Sequence, residues 1–207
     1  MINRILNKFK IRNKGKNNKI NISKNVILRK NSKIKINGNN NIINIANGVY
    51  TDLLINIDGN NHSLNILSTS RIDDCKIIIQ NNYNSVHIGK NTGLTKSLIV
   101  SCGKNNKIFI DDDCMISTNV EIWGCDGHSI LQDNEIINLS KSIYIGKHTW
   151  IGANSKILKG ANISKNCVIG ANSLVTAKIF NENTLIAGNP ANLKKENINW
   201  CVENLEN

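Results

Sequence analysis

Aromatic residues and proline are scarce in this sequence. Trp, Tyr and Phe make up 4% of its 207 residues, and Pro190 is the single proline. A core built around large rings is therefore excluded, and the abundant isoleucines suit a narrow aliphatic interior instead. The lack of rings also argues against a nucleic-acid partner, because single strands stack their bases on aromatic side chains.

Long apolar runs and paired cysteine motifs are absent as well. No segment is long and apolar enough to span a membrane, and the opening MINRILNKFK does not resemble a signal peptide. No C-x-x-C pair occurs, which argues against zinc knuckles and thioredoxin-like redox sites. We therefore expect a cytoplasmic protein without a metal, in which the cysteines are reduced and mostly packed inside. The cysteines are Cys75, Cys102, Cys114, Cys125, Cys167 and Cys201.

Acidic residues are missing from the N-terminal part of the chain. The net charge is +11, and no Asp or Glu precedes Asp52. This basic end could face an acidic polymer, associate peripherally with an anionic membrane surface, or simply be solvated. The basic residues before Asp52 are Arg4, Lys8, Lys10, Arg12, Lys14, Lys16, Lys19, Lys24, Arg29, Lys30, Lys33 and Lys35.

A six-residue repeat from Ile145 to Phe180 is the strongest pattern in the chain. Each block opens with an aliphatic residue, and in the first five blocks a small residue follows four positions later. A period of six fits neither a helix face nor a two-faced strand, and is typical of a solenoid with flat sides. The openers are Ile145, Ile151, Ile157, Ile163, Ile169 and Val175, and the small residues are Thr149, Ser155, Ala161, Cys167 and Ser173.

A looser repeat with a period of about 21 to 23 residues precedes the six-residue one. It contains Asn-rich segments such as GKNNKINI at 15–22 and GNNNIINI at 38–45. Gly and Asn tolerate the positive φ of a tight corner, although A/T-rich codon usage would also explain many asparagines. Together the repeats predict an all-β solenoid over 15–180, in roughly eight coils. Residues 1–14 are expected to form a basic lead segment with a short amphipathic helix, and 181–207 a cap with a helix opened by Pro190.

One segment, 123–142, interrupts the repeat with the sequence WGCDGHSILQDNEIINLSKS. It cannot be threaded onto regular flat sides, so we expect it to leave the solenoid as an extruded loop. Loops held by a rigid scaffold often carry function, and this loop contains His128.

These residues resemble a known family. The six-residue repeat, the segment IYIGKHTWIGANSKILKGANISKNCVIGANSLVT at 143–176 and the ending AGNPA at 187–191 are similar to the left-handed parallel β-helix acyltransferases. The likeness is closest to acetyl-CoA-dependent O-acetyltransferases of the maltose/galactoside type, and to relatives that modify capsule and lipopolysaccharide sugars. The resemblance implies a left-handed coil, a homotrimer, and acetyl-CoA in the cleft between adjacent subunits.

The resemblance also implies site residues. His128 matches the family's catalytic histidine, and Trp150 matches its W-I-G tryptophan, which contacts cofactor or acceptor. Trp123, at the base of the loop, is a second candidate for acceptor contact. The family carries a lysine where Ala177 stands and an arginine where Asn192 stands, and its sugar-binding asparagine has no counterpart among 97–102. The residues implied for acetyl-CoA are Ser117, Trp150, Ala153, Ala171, Thr176 and Lys178, with Lys194 or Lys195 on the CoA phosphates.

The chemistry expected of His128 follows from the weak nucleophilicity of a sugar hydroxyl near neutral pH. Transfer needs a base that can hold a proton there, and histidine is suited to this. His128 would take the hydroxyl proton during attack on the thioester, and a backbone N–H would stabilise the oxyanion. Asp126 or Glu121 could orient the imidazole. The predicted function is acetyl transfer to a hydroxyl of a sugar or surface polysaccharide, with an acidic capsule glycan suggested by the basic end.

Several alternatives stay open. An N-acetyltransferase acting on an amino-sugar, or a non-catalytic scaffold or glycan-binding protein, would use the same solenoid. Cys125 lies close enough to His128 in sequence for a Cys–His acyl-enzyme. A γ-class carbonic anhydrase needs three zinc-binding histidines, a spacing that the four histidines here lack. Of the others, His148 could line the cofactor cleft, whereas His62 and His87 are expected in packing or surface roles.

Overall fold

The computed structural model describes residues 9–69, 71–203 and 205, which form strands, turns and loops. The first strands in chain order are β1 (Lys10–Asn13), β2 (Lys19–Ile22), β3 (Val26–Arg29), β4 (Lys33–Asn37), β5 (Ile42–Ile45), β6 (Gly48–Thr51), β7 (Leu54–Asn60), β8 (Ser63–Ile66), β9 (Arg71–Asp73), β10 (Lys76–Asn82), β11 (Ser85–Ile88), β12 (Gly93–Thr95), β13 (Leu98–Ser101) and β14 (Lys107–Ile110). The remaining strands are β15 (Met115–Ile116), β16 (Glu121–Trp123), β17 (Leu131–Gln132), β18 (Glu135–Ile136), β19 (Ile143–Ile145), β20 (Trp150–Ile151), β21 (Lys156–Leu158), β22 (Asn162–Ile163), β23 (Val168–Ile169), β24 (Leu174–Val175), β25 (Ile179–Phe180), β26 (Leu185–Ala187) and β27 (Asn192–Lys195).

Three long sheets enclose a triangular prism. Face 1 contains β1, β4, β7, β10, β13, β16, β21 and β24, and face 2 contains β2, β5, β8, β11, β14, β19, β22 and β25. Face 3 contains β3, β6, β9, β12, β15, β20, β23, β26 and β27. The chain visits the faces in this order and then returns to face 1, so each circuit is one coil, and we name the corners 1–2, 2–3 and 3–1. The 8-stranded faces 1 and 2 confirm the predicted number of coils.

Coil length changes along the prism and follows the two sequence repeats. Ile55 pairs with Ile77, an advance of 22 residues (77 − 55), whereas Ile157 pairs with Val175, an advance of 18 (175 − 157). Between these regions Ile122 pairs with Ile157, an advance of 35 (157 − 122). Coils near the C-terminal end therefore fit three six-residue sides, and those near the N-terminal end have longer corners. The long advance is where the interrupting segment leaves the prism.

The interior is a column of aliphatic side chains, most of them isoleucine. The six openers of the repeat are 0–1% exposed, and the small residues that follow them are 0–2% exposed, so both inward assignments are confirmed. Burying each large aliphatic side chain contributes about 1.5–3 kcal/mol. The small side chains also bond to the next coil, as when Ser155 Oγ donates to the Gly170 carbonyl at 3.0 Å.

Polar side chains form a second column just inside corner 1–2. This asparagine ladder consists of Asn18, Asn41, His62, Asn84 and Asn106. The backbone N–H of one member donates to the side chain before it, for example from Asn41 to Asn18 Oδ1 at 2.9 Å and from Asn106 to Asn84 Oδ1 at 2.7 Å. The amide Nδ2 donates to a carbonyl of the next coil, as from Asn18 to Gly38 at 2.8 Å. The repeated asparagines therefore satisfy buried backbone groups that would otherwise lose hydrogen bonds.

His62 replaces asparagine in the middle of the ladder. Its backbone N–H donates to Asn41 Oδ1 at 2.9 Å, and its Nδ1 accepts from the Asn84 N–H at 3.1 Å. The residue is 1% exposed, and burial lowers the pKa of its imidazole. Nε2 is buried and has no hydrogen-bond partner of good geometry among the described residues. The ring therefore keeps the ladder bond through Nδ1, whereas Nε2, which faces the carbonyls of Asp58 and Asn81, does not reach the geometry of the bond that an asparagine amide makes there.

The described residues include no helix. Most of the predicted lead helix lies at 1–8, outside the described residues, and its end is instead the strand β1, which pairs in parallel with β4. The predicted C-terminal helix is wrong: β27 runs antiparallel to β26 after a turn at the cis Asn189–Pro190 peptide. A strand forms there because β26 would otherwise leave an edge of unpaired backbone groups. Within the described chain, nothing helical could cross a membrane.

We predict that His62→Asn stabilises the protein, by about 1 kcal/mol at pH 8, because asparagine restores the missing donor. The gain should grow as the pH falls below about 6.5. There the unfolded chain binds a proton that the buried ring resists, so the histidine form loses stability and the asparagine form does not. Urea unfolding at pH 5.5 and pH 8 measures both effects. Asn41→Ala is the matched control and should destabilise at both pH values; a His62→Asn protein weaker than the parent at pH 5.5 would contradict the assignment.

Candidate active site

Residues 124–142 leave the prism at corner 1–2, between β16 of face 1 and β19 of face 2. Their outer part is a hairpin in which Leu131 pairs with Ile136 across β17 and β18. We call this segment the catalytic loop after the role predicted for His128. Apolar side chains at its tip are exposed by 48–64%. They are Ile130, Leu131, Ile136, Ile137 and Leu139.

Two sets of contacts fix the base of the catalytic loop. Cys125 is joined by a disulfide to Cys102 of the preceding coil, with a Cα–Cα distance of 5.7 Å. The expectation that the cysteines are reduced is therefore wrong for these two, because adjacent coils bring their side chains together. The Asp126 carboxylate accepts from Lys159 Nζ at 2.5 Å and from Asn138 Nδ2 at 2.8 Å. Lys159 also donates to the Asn138 carbonyl at 2.8 Å, so one lysine of the next coil holds both arms of the loop.

Asp126 stays ionised at neutral pH. Partial burial on its own would raise the pKa of this carboxyl, but the hydrogen bonds from Lys159 and Asn138 and the charge of Lys159 outweigh it and lower the pKa. A carboxyl with a lowered pKa stabilises the folded state above its unfolded pKa of about 3.9, and this contribution is lost as the pH falls further. The anchor is therefore intact across the neutral range.

His128 lies on the exposed side of the catalytic loop, near its base. Its carbonyl accepts from Asn138 Nδ2 at 2.8 Å, which fixes the backbone of the residue. Neither candidate for orienting the imidazole hydrogen-bonds to it. The Asp126 carboxylate accepts from Lys159 instead, and Glu121 accepts from Trp123 Nε1 at 2.8 Å. Among the described residues, no side chain or backbone group hydrogen-bonds the His128 ring.

A cleft of about 710 Å³ separates the catalytic loop from corner 1–2 of the two preceding coils. Its loop side includes His128 and Ser129, and its corner side includes Asn82, Tyr83 and Lys104. The Cys102–Cys125 disulfide also lines the cleft. Because its sulfur is in this bond, Cys125 has no free thiol in this structure. The cleft can admit a sugar unit beside the His128 imidazole.

Four residues implied for acetyl-CoA lie together on face 3 and its exit at corner 3–1. Trp150 begins β20, is 38% exposed, and donates from Nε1 to Ser117 Oγ at 3.1 Å. Ala153 and Ala171 occupy successive coils of corner 3–1, where the Asn172 N–H donates to the Ala153 carbonyl at 2.9 Å. These small residues and one exposed ring form a continuous wall.

The other implied cofactor residues are divided between two places. Thr176 and Lys178 lie at corner 1–2, beyond the coil that carries Gly160, and Lys178 Nζ donates to Asn192 Oδ1 at 3.0 Å. Lys194 and Lys195 are exposed on β27, at the end of face 3. The structure therefore brings Lys178 close to β27, on the same corner as the base of the catalytic loop, with the coil that carries Gly160 between them.

His128 and Trp150 lie on opposite sides of one chain. The catalytic loop projects from corner 1–2, whereas Trp150 lies on face 3, the side of the triangle opposite that corner. Trp123 lies elsewhere again, on the outer surface of face 1 with Val100 and the disulfide, and does not line the cleft. One chain on its own thus does not unite the predicted catalytic residue with the predicted cofactor wall.

The C-terminal segment adds an aromatic residue that the sequence did not single out. The Trp200 ring stacks on His148 with centroids 4.4 Å apart and lies 6.1 Å from the Trp150 ring. Trp200 Nε1 donates to the His148 carbonyl at 2.8 Å. His148 has φ 54° at corner 2–3, where neighbouring coils carry Asn or Asp. A histidine in place of Asn or Asp was the sequence signal that this corner has an additional contact.

The histidines are dispersed over the molecule. His62 is in the asparagine ladder, His87 stacks on Phe109 at 4.5 Å on the outside of face 2, and His148 contacts Trp200. Within the described ranges, no cluster of three or more His, Cys, Asp or Glu side chains could hold a metal ion.

Comparisons with known proteins agree with this architecture. Residues 142–177 match the family model described as bacterial transferase hexapeptide (six repeats). The chain is 35% identical over 184 residues to a polysialic acid O-acetyltransferase of Neisseria meningitidis, covering 78% of this chain and 86% of that protein. It is 38% identical over 126 residues to a polysialic acid O-acetyltransferase of Escherichia coli O1:K1, of which it covers 40%.

Two solved structures share nearly the whole fold. The polysialic acid O-acetyltransferase OatWY has a TM-score of 0.85 at 32% identity, with 97% of this chain and 94% of that chain covered. The polySia-specific acetyltransferase NeuO has a TM-score of 0.81 at 29% identity, with 95% and 90% covered. The solenoid is thus the left-handed β-helix that the repeat resembled, and the chain belongs to the hexapeptide-repeat O-acetyltransferases.

Proposed function

We propose that this chain transfers the acetyl group of acetyl-CoA to a hydroxyl of an acidic surface polysaccharide, polysialic acid being the first candidate. The observation that carries the proposal is the position of His128, which lines a cleft of about 710 Å³ in the loop that interrupts the solenoid. The acceptor class is supported by the 35% identity to a polysialic acid O-acetyltransferase. A cytoplasmic location remains part of this proposal.

His128 would act as the general base. Its neutral imidazole takes the proton of the acceptor hydroxyl while that oxygen attacks the acetyl carbonyl. The carbon–oxygen bond of the ester forms and the carbon–sulfur bond of the thioester breaks. The proton then passes from the imidazolium to the departing CoA thiolate, so the base is regenerated. Cys125, the cysteine near His128, is not the nucleophile in this scheme, since its sulfur is in a disulfide.

Acetyl-CoA would lie along the wall on face 3 and corner 3–1. Ala153 and Ala171 present only methyl groups, which leave room for an extended pantetheine arm beside the Trp150 ring. Lys178, Lys194 and Lys195 near the C-terminal end provide cations for the CoA phosphates.

A site shared between chains follows from the opposite placement of His128 and Trp150. If corner 1–2 of one chain packs against face 3 of the next, the interface is heterologous and closes into a ring, and a trimer is the state that the family implies. The exposed apolar tip of the catalytic loop, residues 130–139, supports this arrangement because it would be covered by the neighbouring chain.

An acidic acceptor is also supported by the surface of face 1. Lys10 pairs with Lys33 and Arg12 with Lys35 across β1 and β4, and all four are exposed. Strand neighbours are about 4.8 Å apart, so this array concentrates positive charge in a small area. No acidic side chain on these two strands offsets it.

We predict that His128→Ala lowers kcat for acetyl transfer by about 10²–10⁴-fold, the usual contribution of a general base. The KM for acetyl-CoA should change little, because His128 acts on the acceptor hydroxyl in the transfer step and is not among the residues proposed to bind acetyl-CoA. Release of CoA in the presence of polysialic acid is the measurement, and His87→Ala on face 2 is the control. A near wild-type rate for His128→Ala would refute the role of this residue.

We predict complementation between two inactive variants. His128→Ala and Trp150→Ala chains, mixed in equal amounts, unfolded and reassembled, should recover about a quarter of the wild-type sites, because each mixed ring contains one intact His–Trp pair. Each variant reassembled alone is the control. Recovery no higher than in these controls would mean that both residues serve the same chain's site.

We predict that the KM for polysialic acid rises as salt increases from about 0.05 to 0.5 M, because salt screens exposed charges. The same polymer with its carboxylates reduced to alcohols should show little salt effect. In the double variant Arg12→Gln, Lys35→Gln the salt dependence should be weaker. Equal salt dependence for both polymers would exclude a role for acceptor charge.

A further inference from the structure

At corner 1–2 the residue just before the ladder position has a left-handed backbone in each N-terminal coil. Four of these residues are asparagines, with φ between 56° and 58°: Asn17, Asn40, Asn61 and Asn105. The fifth, Tyr83, has φ 61°. Its backbone keeps the same pattern as its neighbours, since the Tyr83 N–H donates to the Asn60 carbonyl at 3.0 Å.

A tyrosine at this position is unfavourable for the fold. Asparagine tolerates the left-handed region because its short side chain bonds locally, whereas a bulky residue there is strained. Packing does not compensate for the strain, because the Tyr83 side chain is 55% exposed and is not part of the core. Strained residues of this kind concentrate at ligand-binding sites, so we look for a function of the Tyr83 ring outside the core.

Tyr83 lines the cleft that contains His128. It lies on the corner side of the cleft, and His128 lies on the loop side. An exposed aromatic ring can pack against the apolar face of a sugar ring, and its hydroxyl can bond to a sugar hydroxyl. A pyranose held on Tyr83 would present its other groups to the catalytic loop.

Lys104 occupies the next coil of the same corner, where it forms a bridge with Asn82. Among the described residues that line the cleft, Lys104 is the one lysine or arginine. Its ammonium makes no hydrogen bond or ion pair with the other residues of the lining. The cleft's carboxylate, Asp126, is already bound by Lys159. Within the part of the chain that the structure describes, Lys104 therefore supplies a positive charge without a carboxylate partner.

We propose that Tyr83 and Lys104 form an acceptor subsite for one carboxylated sugar, with the ring of the sugar on the Tyr83 phenol and its carboxylate on the Lys104 ammonium. The proposal rests on the proposed function, and it names the place on the chain where the acidic acceptor is held. The ammonium and the ring together favour an acidic pyranose over a neutral one, because only a carboxylate adds an ion pair with Lys104 to the contact with the ring.

The test uses variants that keep the fold. Tyr83→Asn installs the residue that the corner carries in four other coils, so its thermal stability should equal or exceed that of the parent. Tyr83→Phe keeps the ring. Lys104→Gln removes the charge, and Lys107→Gln, an exposed lysine at the start of β14 outside the cleft, is its matched control.

We expect Tyr83→Asn and Lys104→Gln each to weaken binding of a short sialic acid oligomer roughly tenfold and to raise its KM similarly, as loss of one ring or charge contact would. Tyr83→Phe and Lys107→Gln should stay within about twofold of the parent. For Lys104→Gln the loss should vanish with the carboxyl-reduced oligomer. The KM for acetyl-CoA should be unchanged in all four, which distinguishes the acceptor carboxylate from a CoA phosphate as the anion.

Calorimetric binding separates this proposal from the proposed function. Binding of the oligomer without acetyl transfer would overturn the function and support the subsite, provided the two variants weaken it. Unchanged binding in Tyr83→Asn and Lys104→Gln, a raised KM for acetyl-CoA instead, or no binding to the parent protein would overturn the subsite.

Discussion

The structure depends on how each coil turns at corner 1–2. The chain must adopt a left-handed backbone there while its buried polar groups remain hydrogen-bonded, and paired asparagines meet both demands. In four of the N-terminal coils the first asparagine takes the positive φ, and the second, or His62 in one coil, enters the ladder inside. The ladder ends on the catalytic loop, since Asn106 Nδ2 donates to the Gly124 carbonyl at 3.0 Å. The loop is therefore anchored to a hydrogen-bonded column, not to a flexible turn.

The prism contains two kinds of coil, and each forms a different part of the proposed site. Coils that advance by 22 residues have broad polar corners, which form one side of the cleft beside His128. Coils that advance by 18 have tight corners with small residues, which form the wall beside Trp150. The catalytic loop leaves at the boundary between them, which is the position from which it would reach a neighbouring chain's wall in the proposed shared site.

The sequence was sufficient to predict features that recur in every repeat, and insufficient to predict contacts between residues that are far apart in the chain. Periodicity placed the buried openers, the number of coils and the loop, because each depends on one position per block. The Lys159–Asp126 pair spans 33 residues and the Trp200–His148 contact spans 52, and both depend on a register that only the folded loop sets. The prediction of a C-terminal helix was wrong for a related reason. The segment forms β27 because it pairs with the edge of β26, and local propensity does not reveal such a long-range pairing.

Departures from the asparagine rule carry more information than the rule itself. Codon usage could enrich asparagine everywhere, but it does not explain why an aromatic residue takes the left-handed position at a few corners. Tyr83 does so beside His128, and His148 does so against Trp200, next to Trp150. Each half of the proposed shared site thus contains one ring on a strained backbone, on opposite sides of the chain. Strain that the core does not need is accounted for if both rings contact bound molecules or hold the residues that do.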